Sequence, residues 1–247
     1  MIKHQMIDSE LITLDPRIEL ISTARNFYEK GWMVGTGGNL SAKLLDGSFW
    51  ITASGKSKGS LLPSDFVRIY PNGKKYQKFS DIRPSKETVI HQTIYELFPE
   101  AQACYHILSV KANLVSRFVQ EDILALPPLE MLNKLGLMEE TLYCTIPIID
   151  NNFQSSKIAA NIKKLFQTEP PKIPALLIRD HGVTVWAPSL EAAQNYIEAI
   201  EYIFCYMVSA RELGIWNEAD NIIPRSNKRI NPLLQTPRRS LRYRIGS

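Results

Sequence analysis

The chain has 247 residues, 45% of them hydrophobic and 22% charged. That balance excludes a wholly disordered or low-complexity polypeptide and leaves room for a buried core. Its net charge of +4 comes from the end, where Arg225, Lys228, Arg229, Arg238, Arg239, Arg242 and Arg244 occur without an acidic residue, so overall charge makes no case for binding nucleic acid.

In chain order, residues 16–30 place Ile18, Ile21, Ala24, Phe27 and Tyr28 on one face of a helix that Pro16 can open and Gly31 can close. Residues 40–54 read as two strands about an Asp46-Gly47 turn, and residues 65–76 repeat that design at Asn72-Gly73. An amphipathic helix is expected over 86–97, with Val89, Ile90, Ile94 and Leu97 on one face. A strand over 101–108, a helix near 110–118 and a strand over 142–149 follow. Residues 175–187 read as two strands pivoting at Asp180-His181-Gly182, ahead of a long helix over 189–213. This mixture of hairpins and helices predicts a mixed sheet with helices on both faces. With no repeat and no linker before Gly214, residues 1–214 are expected to be one domain, and 215–247 a basic tail that is mobile or draped on the surface.

Three widely spaced cysteines, Cys104, Cys144 and Cys205, form no CxxC pair and suggest a reducing compartment. The first ten residues lack an apolar run, and no stretch is long enough to span a bilayer. A cytoplasmic location with no membrane partner is therefore expected.

Chemistry is limited by four histidines: His4, His91, His106 and His181. A lone histidine in an apolar strand is commonly structural, but His106 ends a strand and His181 sits at a corner beside glycine, where a side chain can enter a cleft. GTGGNLSAK (35–43) precedes a strand, not a helix, and so fails as a dinucleotide fingerprint; GxxxxGK[ST] is absent. This loop, with Asn39 and Ser41, and the loop TASGKSKG (52–59) each read either as turns or as N–H nests for an anion. Two in one chain favour a phosphate, which needs several converging donors. Glu87 and Glu130 each occupy a helix start, where a carboxylate is favoured by the macrodipole alone.

Taken together, GWMVGTGGNLSAK, ITASGKSKG, RPSKETVIHQTIY, LEMLNKLG and LLIRDHGVTVWAPSLEAAQNYIEAIEYIF resemble, in order and through most of residues 16–214, the class II aldolase/adducin superfamily. The likeness is greatest to its dehydratases of methylthioribulose 1-phosphate. The resemblance implies a three-layer αβα fold with a central mixed, mainly antiparallel sheet. It also implies zinc-dependent dehydration of 5-methylthioribulose 1-phosphate to a 2,3-diketo-5-methylthiopentyl phosphate in methionine salvage. Carried over residue by residue, it makes His106 and His181 ligands of one zinc ion per subunit, Glu130 the acid/base, and Gly38, Asn39, Ser54, Gly55, Ser85 and, more weakly, Lys58 the phosphate site. A homotetramer acting on a small sugar phosphate, with no nucleic-acid partner, is expected.

One position departs from the pattern. Family members usually carry H-x-H-S at the end of the central strand, whereas this chain reads His106-Ile107-Leu108-Ser109, and leucine cannot bind a cation. Glu87 matches the position of an additional carboxylate ligand in aldolase relatives, so Glu87, His106 and His181 with water would make an acceptable catalytic zinc site. His91 lies one helical turn beyond Glu87 as a substitute ligand, for which the resemblance gives no support. A sugar-phosphate aldolase or epimerase of the same fold, or a noncatalytic adducin-like module impaired in metal binding by Leu108, are the other readings.

Overall fold

The computed structural model describes residues 15–74, 82–136 and 144–215. Residues expected to form the second strand of the Asn72-Gly73 hairpin, the start of the strand at 142, His4 and the basic tail lie outside the described residues. Eight strands form one sheet: β1 (Asn39–Lys43), β2 (Phe49–Thr52), β3 (Phe66–Ile69), β4 (Ala103–Ile107), β5 (Ile123–Leu126), β6 (Cys144–Ile149), β7 (Ala175–Ile178) and β8 (Gly182–Ala187), in the order β3-β2-β1-β4-β8-β7-β6-β5. Among the described strands, β6 and β7 alone pair in parallel, and every other neighbouring pair is antiparallel.

Among the described residues, five α-helices cover the sheet: α1 (Pro16–Glu29), α2 (Thr88–Leu97), α3 (Val110–Val115), α4 (Ser155–Thr168) and α5 (Leu190–Glu212). Their starts follow local chemistry, since Asp15 accepts a hydrogen bond from Arg17 N and Ser189 accepts one from Ala192 N. On one face, Leu20 and Phe27 of α1 and Ile197, Phe204 and Met207 of α5 bury against Tyr105, Ile107, Val183 and Val185. On the other, Ile90 and Ile94 of α2 and Ile158, Ile162 and Phe166 of α4 bury against Ile51, Ile69, Cys104, Leu176 and Trp186. The alternation of side chains along each strand thus fills two cores, giving three layers. No described helix is long and apolar enough to cross a membrane.

The expected helices and hairpins are present where described. The sequence reading passed over α4 and β5. The segment opening at Glu130 is a 3-10 helix, Glu130–Leu135, that ends on Gly136 at φ 76°.

Candidate metal centre

The site is built where β1, β4 and β8 lie side by side. Asn39 is paired across β4 with His106, and His106 across β8 with Thr184, so three adjacent strands put these side chains in one row on the α2 face. Glu87 caps the start of α2, yet its carboxylate makes no cap hydrogen bond to the helix; it turns towards the row. The Asn39 amide donates to Glu87 Oε2 at 2.5 Å. His181 Nε2 lies 2.9 Å from Glu87 Oε1, and His106 Nε2 lies 3.6 Å from Oε2.

His181 reaches this point because β7 and β8 are joined by a very tight corner. Asp180 adopts φ 54° there, and its carboxylate pairs with Arg117. At Gly182 a Cβ would fall 2.0 Å from the Ile107 carbonyl oxygen and 3.2 Å from His106 Cε1. Only glycine lets β8 approach β4 this closely, and the result is an edge-to-face pair of His106 and His181 rings with centroids 4.9 Å apart.

Burial opposes ionisation of Glu87, but hydrogen bonds from His181 and the Asn39 amide favour the carboxylate, and its carboxyl is held below the usual range. His106 is 1% exposed, and burial, against the pull of Glu87, lowers its pKa to about 4. The ring is therefore neutral at neutral pH. Its Nδ1 is 2.9 Å from Thr184 Oγ1, which leaves Nε2 directed at the carboxylate.

Ligand-type atoms of Glu87, His106 and His181 all lie within 4.8 Å of one another. A tetrahedral zinc site with bonds of about 2.0–2.2 Å separates its ligand atoms by roughly 3.3–3.6 Å; of the two carboxylate–imidazole distances, 3.6 Å lies at the upper edge of that range and 2.9 Å falls short of it. His106 Nε2 and His181 Nδ1 are buried without a hydrogen-bond partner, an arrangement that costs about 1–3 kcal/mol per group unless something else satisfies it. Two imidazoles, one carboxylate and an orphaned nitrogen aimed at their centre fit a divalent cation. Nearby, the alternation that carries Cys104 and His106 to the α2 face carries Leu108, half-buried, the same way one residue past the strand.

The expected phosphate loops are brought to the same region. Ala53 bridges Pro84, and Ser54 N donates to Arg83 O at 2.8 Å, which sets the exposed Ser54 and Gly55 beside Ser85. Gly38, at φ 68°, tolerates no side chain, because a Cβ would fall 2.8 Å from the His106 carbonyl oxygen. Lys58 is 1% exposed and donates to the carbonyls of Thr36 and Lys56 at 2.9 and 3.0 Å. Its burial lowers the ammonium pKa to about 8 against the opposing pull of Glu87. Asn39 is 3% exposed, with its side chain engaged by Glu87 and His91. Glu130 is exposed, and its 3-10 helix packs on α5, across the sheet from Glu87. The described residues do not bring it to the imidazoles. His91 is fully buried and bonded to Ser41 and Asn39, so its ring is turned into the α2–β1 interface rather than offered as a ligand. Thr184 went unread in the sequence, since only strand register places it beside His106.

Residues 18–208 match the family described as the Class II Aldolase and Adducin N-terminal domain. The chain belongs to the class II aldolase and adducin family. Among its curated relatives, a methylthioribulose-1-phosphate dehydratase of Microcystis aeruginosa is 58% identical over 200 residues, covering 81% of this chain and 98% of the relative. One from Leptospira biflexa is 37% identical over 199 residues, covering 76% and 94%. The L-fuculose-1-phosphate aldolase of Thermus thermophilus superposes with a TM-score of 0.65 at 20% identity, over 80% of this chain and 94% of that one. A sugar-phosphate aldolase of Thermotoga maritima gives 0.61 at 18% identity, over 81% and 96%. These structures establish the class II aldolase fold expected from the sequence.

Proposed function

We propose that this chain is a hydro-lyase that dehydrates 5-methylthioribulose 1-phosphate to a 2,3-diketo-5-methylthiopentyl phosphate, a step of methionine salvage. The observation that carries the reading is the meeting of Glu87, His106 and His181 beside two glycine loops. It occurs in a chain 58% identical to a protein named for that reaction. Glu87, His106 and His181 would hold one zinc ion, whose chemistry when bound is Lewis-acid polarisation of the substrate ketone.

The remaining work belongs to the chain's own groups. The hydrogen on the carbon beside the ketone leaves as a proton, and hydroxide departs from the next carbon. The resulting enol takes up a proton on the carbon that lost hydroxide and releases its hydroxyl proton to become the second ketone, so one water is lost in all and no carbon–carbon bond breaks. Glu130 is the acid/base in this reading. Gly38, Asn39, Ser54, Gly55, Ser85 and Lys58 form the phosphate site; the exposed Ser54 and Gly55 and the partly open Ser85 contribute most, since the side chains of Asn39 and Lys58 already have partners. Holding the phosphate fixes the reacting carbons beside the ligand set. We further propose a cytoplasmic homotetramer, with residues 1–214 as the catalytic domain and 215–247 as an appended tail.

The test is incubation of the purified, zinc-supplemented chain with the ketose phosphate. A product lighter by one water, without a released aldehyde, is expected; aldehyde release would instead indicate an aldolase. Glu130→Gln should lower turnover at least ~100-fold with zinc content unchanged, and preserved turnover would remove Glu130 from the role. Leu108 favours a second reading, a metal-impaired noncatalytic module, which zinc content of the purified chain decides directly.

A further inference from the structure

Between α2 and β1, side chains are hydrogen-bonded in series and end on Glu87. Glu87, His91 and Tyr95 recur every fourth residue along the helix, and Asn39 and Ser41 every second residue along the strand. Four helical residues rise about 6 Å and two extended ones about 6.7 Å, so the two rows interleave. The Tyr95 hydroxyl lies 2.7 Å from Ser41 Oγ, and Ser41 Oγ lies 2.7 Å from His91 Nδ1. His91 Nε2 meets Asn39 Oδ1, and Asn39 Nδ2 donates to Glu87 Oε2.

The direction of every hydrogen follows from the last bond. An ionised carboxylate only accepts, so the Asn39 amino group faces Glu87 and its carbonyl faces His91. His91 Nε2 must then carry a hydrogen. Burial keeps this ring neutral, which makes Nδ1 an acceptor and Ser41 its donor; Tyr95 in turn donates to Ser41. The Ser41 hydroxyl also lies 3.2 Å from the Cys104 carbonyl, a longer contact that its single hydrogen cannot serve at the same time.

None of Tyr95, Ser41 and His91 has a part in the proposed chemistry. All are buried in an interface otherwise filled by Ile90, Ile94 and Ile51, where apolar side chains would pack without needing partners. We infer that Tyr95, Ser41, His91 and Asn39 form a positioning relay that fixes the rotation of the Glu87 carboxylate, with Oε2 held by Asn39 and Oε1 turned to His181, so that it meets a divalent cation ready oriented. His91 is the positioning residue of this relay: it sets which way the Asn39 amide faces. The inference rests on the metal reading of Glu87, His106 and His181 and deepens it.

The test measures zinc affinity of the full chain by competition with a chromophoric chelator, alongside the melting temperature of the metal-free protein. His91→Phe removes both ring nitrogens, and zinc binding is expected to weaken ~10–100-fold, the usual effect of losing an outer partner of a ligand. His91→Gln keeps an amide hydrogen for Asn39 Oδ1 and should recover most of that loss. If His91→Phe and His91→Gln melt lower but bind zinc within about threefold of the unaltered chain, His91 only packs the interface and the inference is overturned. Should His91→Phe not fold, Ser41→Ala breaks the same series with a smaller change. About tenfold weaker binding supports the relay and unchanged binding refutes it. Absence of zinc binding by the unaltered chain would overturn the metal reading itself, a result distinct from equal binding by variant and parent.

Discussion

Replacing Leu108 by histidine supplies the second imidazole that the sequence resemblance implies at this position. Residue 108 continues the alternation that sends Cys104 and His106 to the α2 face, and the Leu108 Cδ1 atom lies 3.3 Å from where a Cβ on Gly37 would sit, so the side chain adjoins the glycine loop. Structural zinc sites with four ligands bind with about 10–16 kcal/mol, or roughly 3 kcal/mol for each ligand, equivalent to ~100-fold in affinity. Against that stands the lost burial of a half-covered leucine, about 1 kcal/mol. Leu108→His should therefore melt slightly lower without metal, bind zinc ~100-fold more tightly, and turn over faster at limiting zinc. Chelator competition on both proteins reads the affinity, with calorimetry for the metal-free state. Equal or weaker zinc binding by Leu108→His, in a folded protein, would refute the placement of residue 108 at the ion.

Two further outcomes follow from the packing. Gly182→Ala puts a methyl group 2.0 Å from the Ile107 carbonyl, which cannot withdraw without opening the Ile107–Val183 pairing; a loss of about 3 kcal/mol or more is expected in urea melts. Gly55→Ala, which meets nothing within 4 Å at φ 74°, should cost about 1 kcal/mol, and equal losses would sink the steric argument. Glu201 of α5 is buried, and burial raises its pKa to about 7 despite the hydroxyl of Ser109 and the charge of Lys111. The folded state thus holds a proton that the unfolded state gives up near 4.5. Stability should fall as pH rises from about 4.5 to about 7, by roughly 3 kcal/mol in total. Glu201→Gln should flatten that slope and leave the protein more stable at alkaline pH; an unchanged pH–stability curve would contradict it.

The sequence was legible wherever one local signal sufficed. Asp46-Gly47 sets a hairpin by itself, and Pro16 and Ser189 stand at the helix starts they suggest. The helix α4 carries a face of Ile158, Ala159, Ile162 and Phe166, but only four of its fourteen residues are buried, so the stripe is thin among polar neighbours. Strand β5 has only four residues, too few for a period to emerge. At the site, the resemblance supplied Glu87, His106 and His181, while spacing alone could not separate Glu87 from an ordinary helix-start carboxylate. Lys58 illustrates what neither route supplies: its charge suggested an anion, and the fold points it at two main-chain carbonyls. The row of Glu87, His91 and Tyr95 was in plain view as polar residues on an apolar helix face; its meaning needed the opposing strand.

Donors drawn from a helix start, a strand end and a hairpin corner have a kinetic corollary. In an unfolded polypeptide these groups are far apart and offer no chelate, so an ion would arrive late, after the central strands have zipped together. Loading then acts as a clasp on the finished body: dissolved zinc should shift the melting curve upward with the logarithm of its concentration, while leaving the speed of refolding as it was.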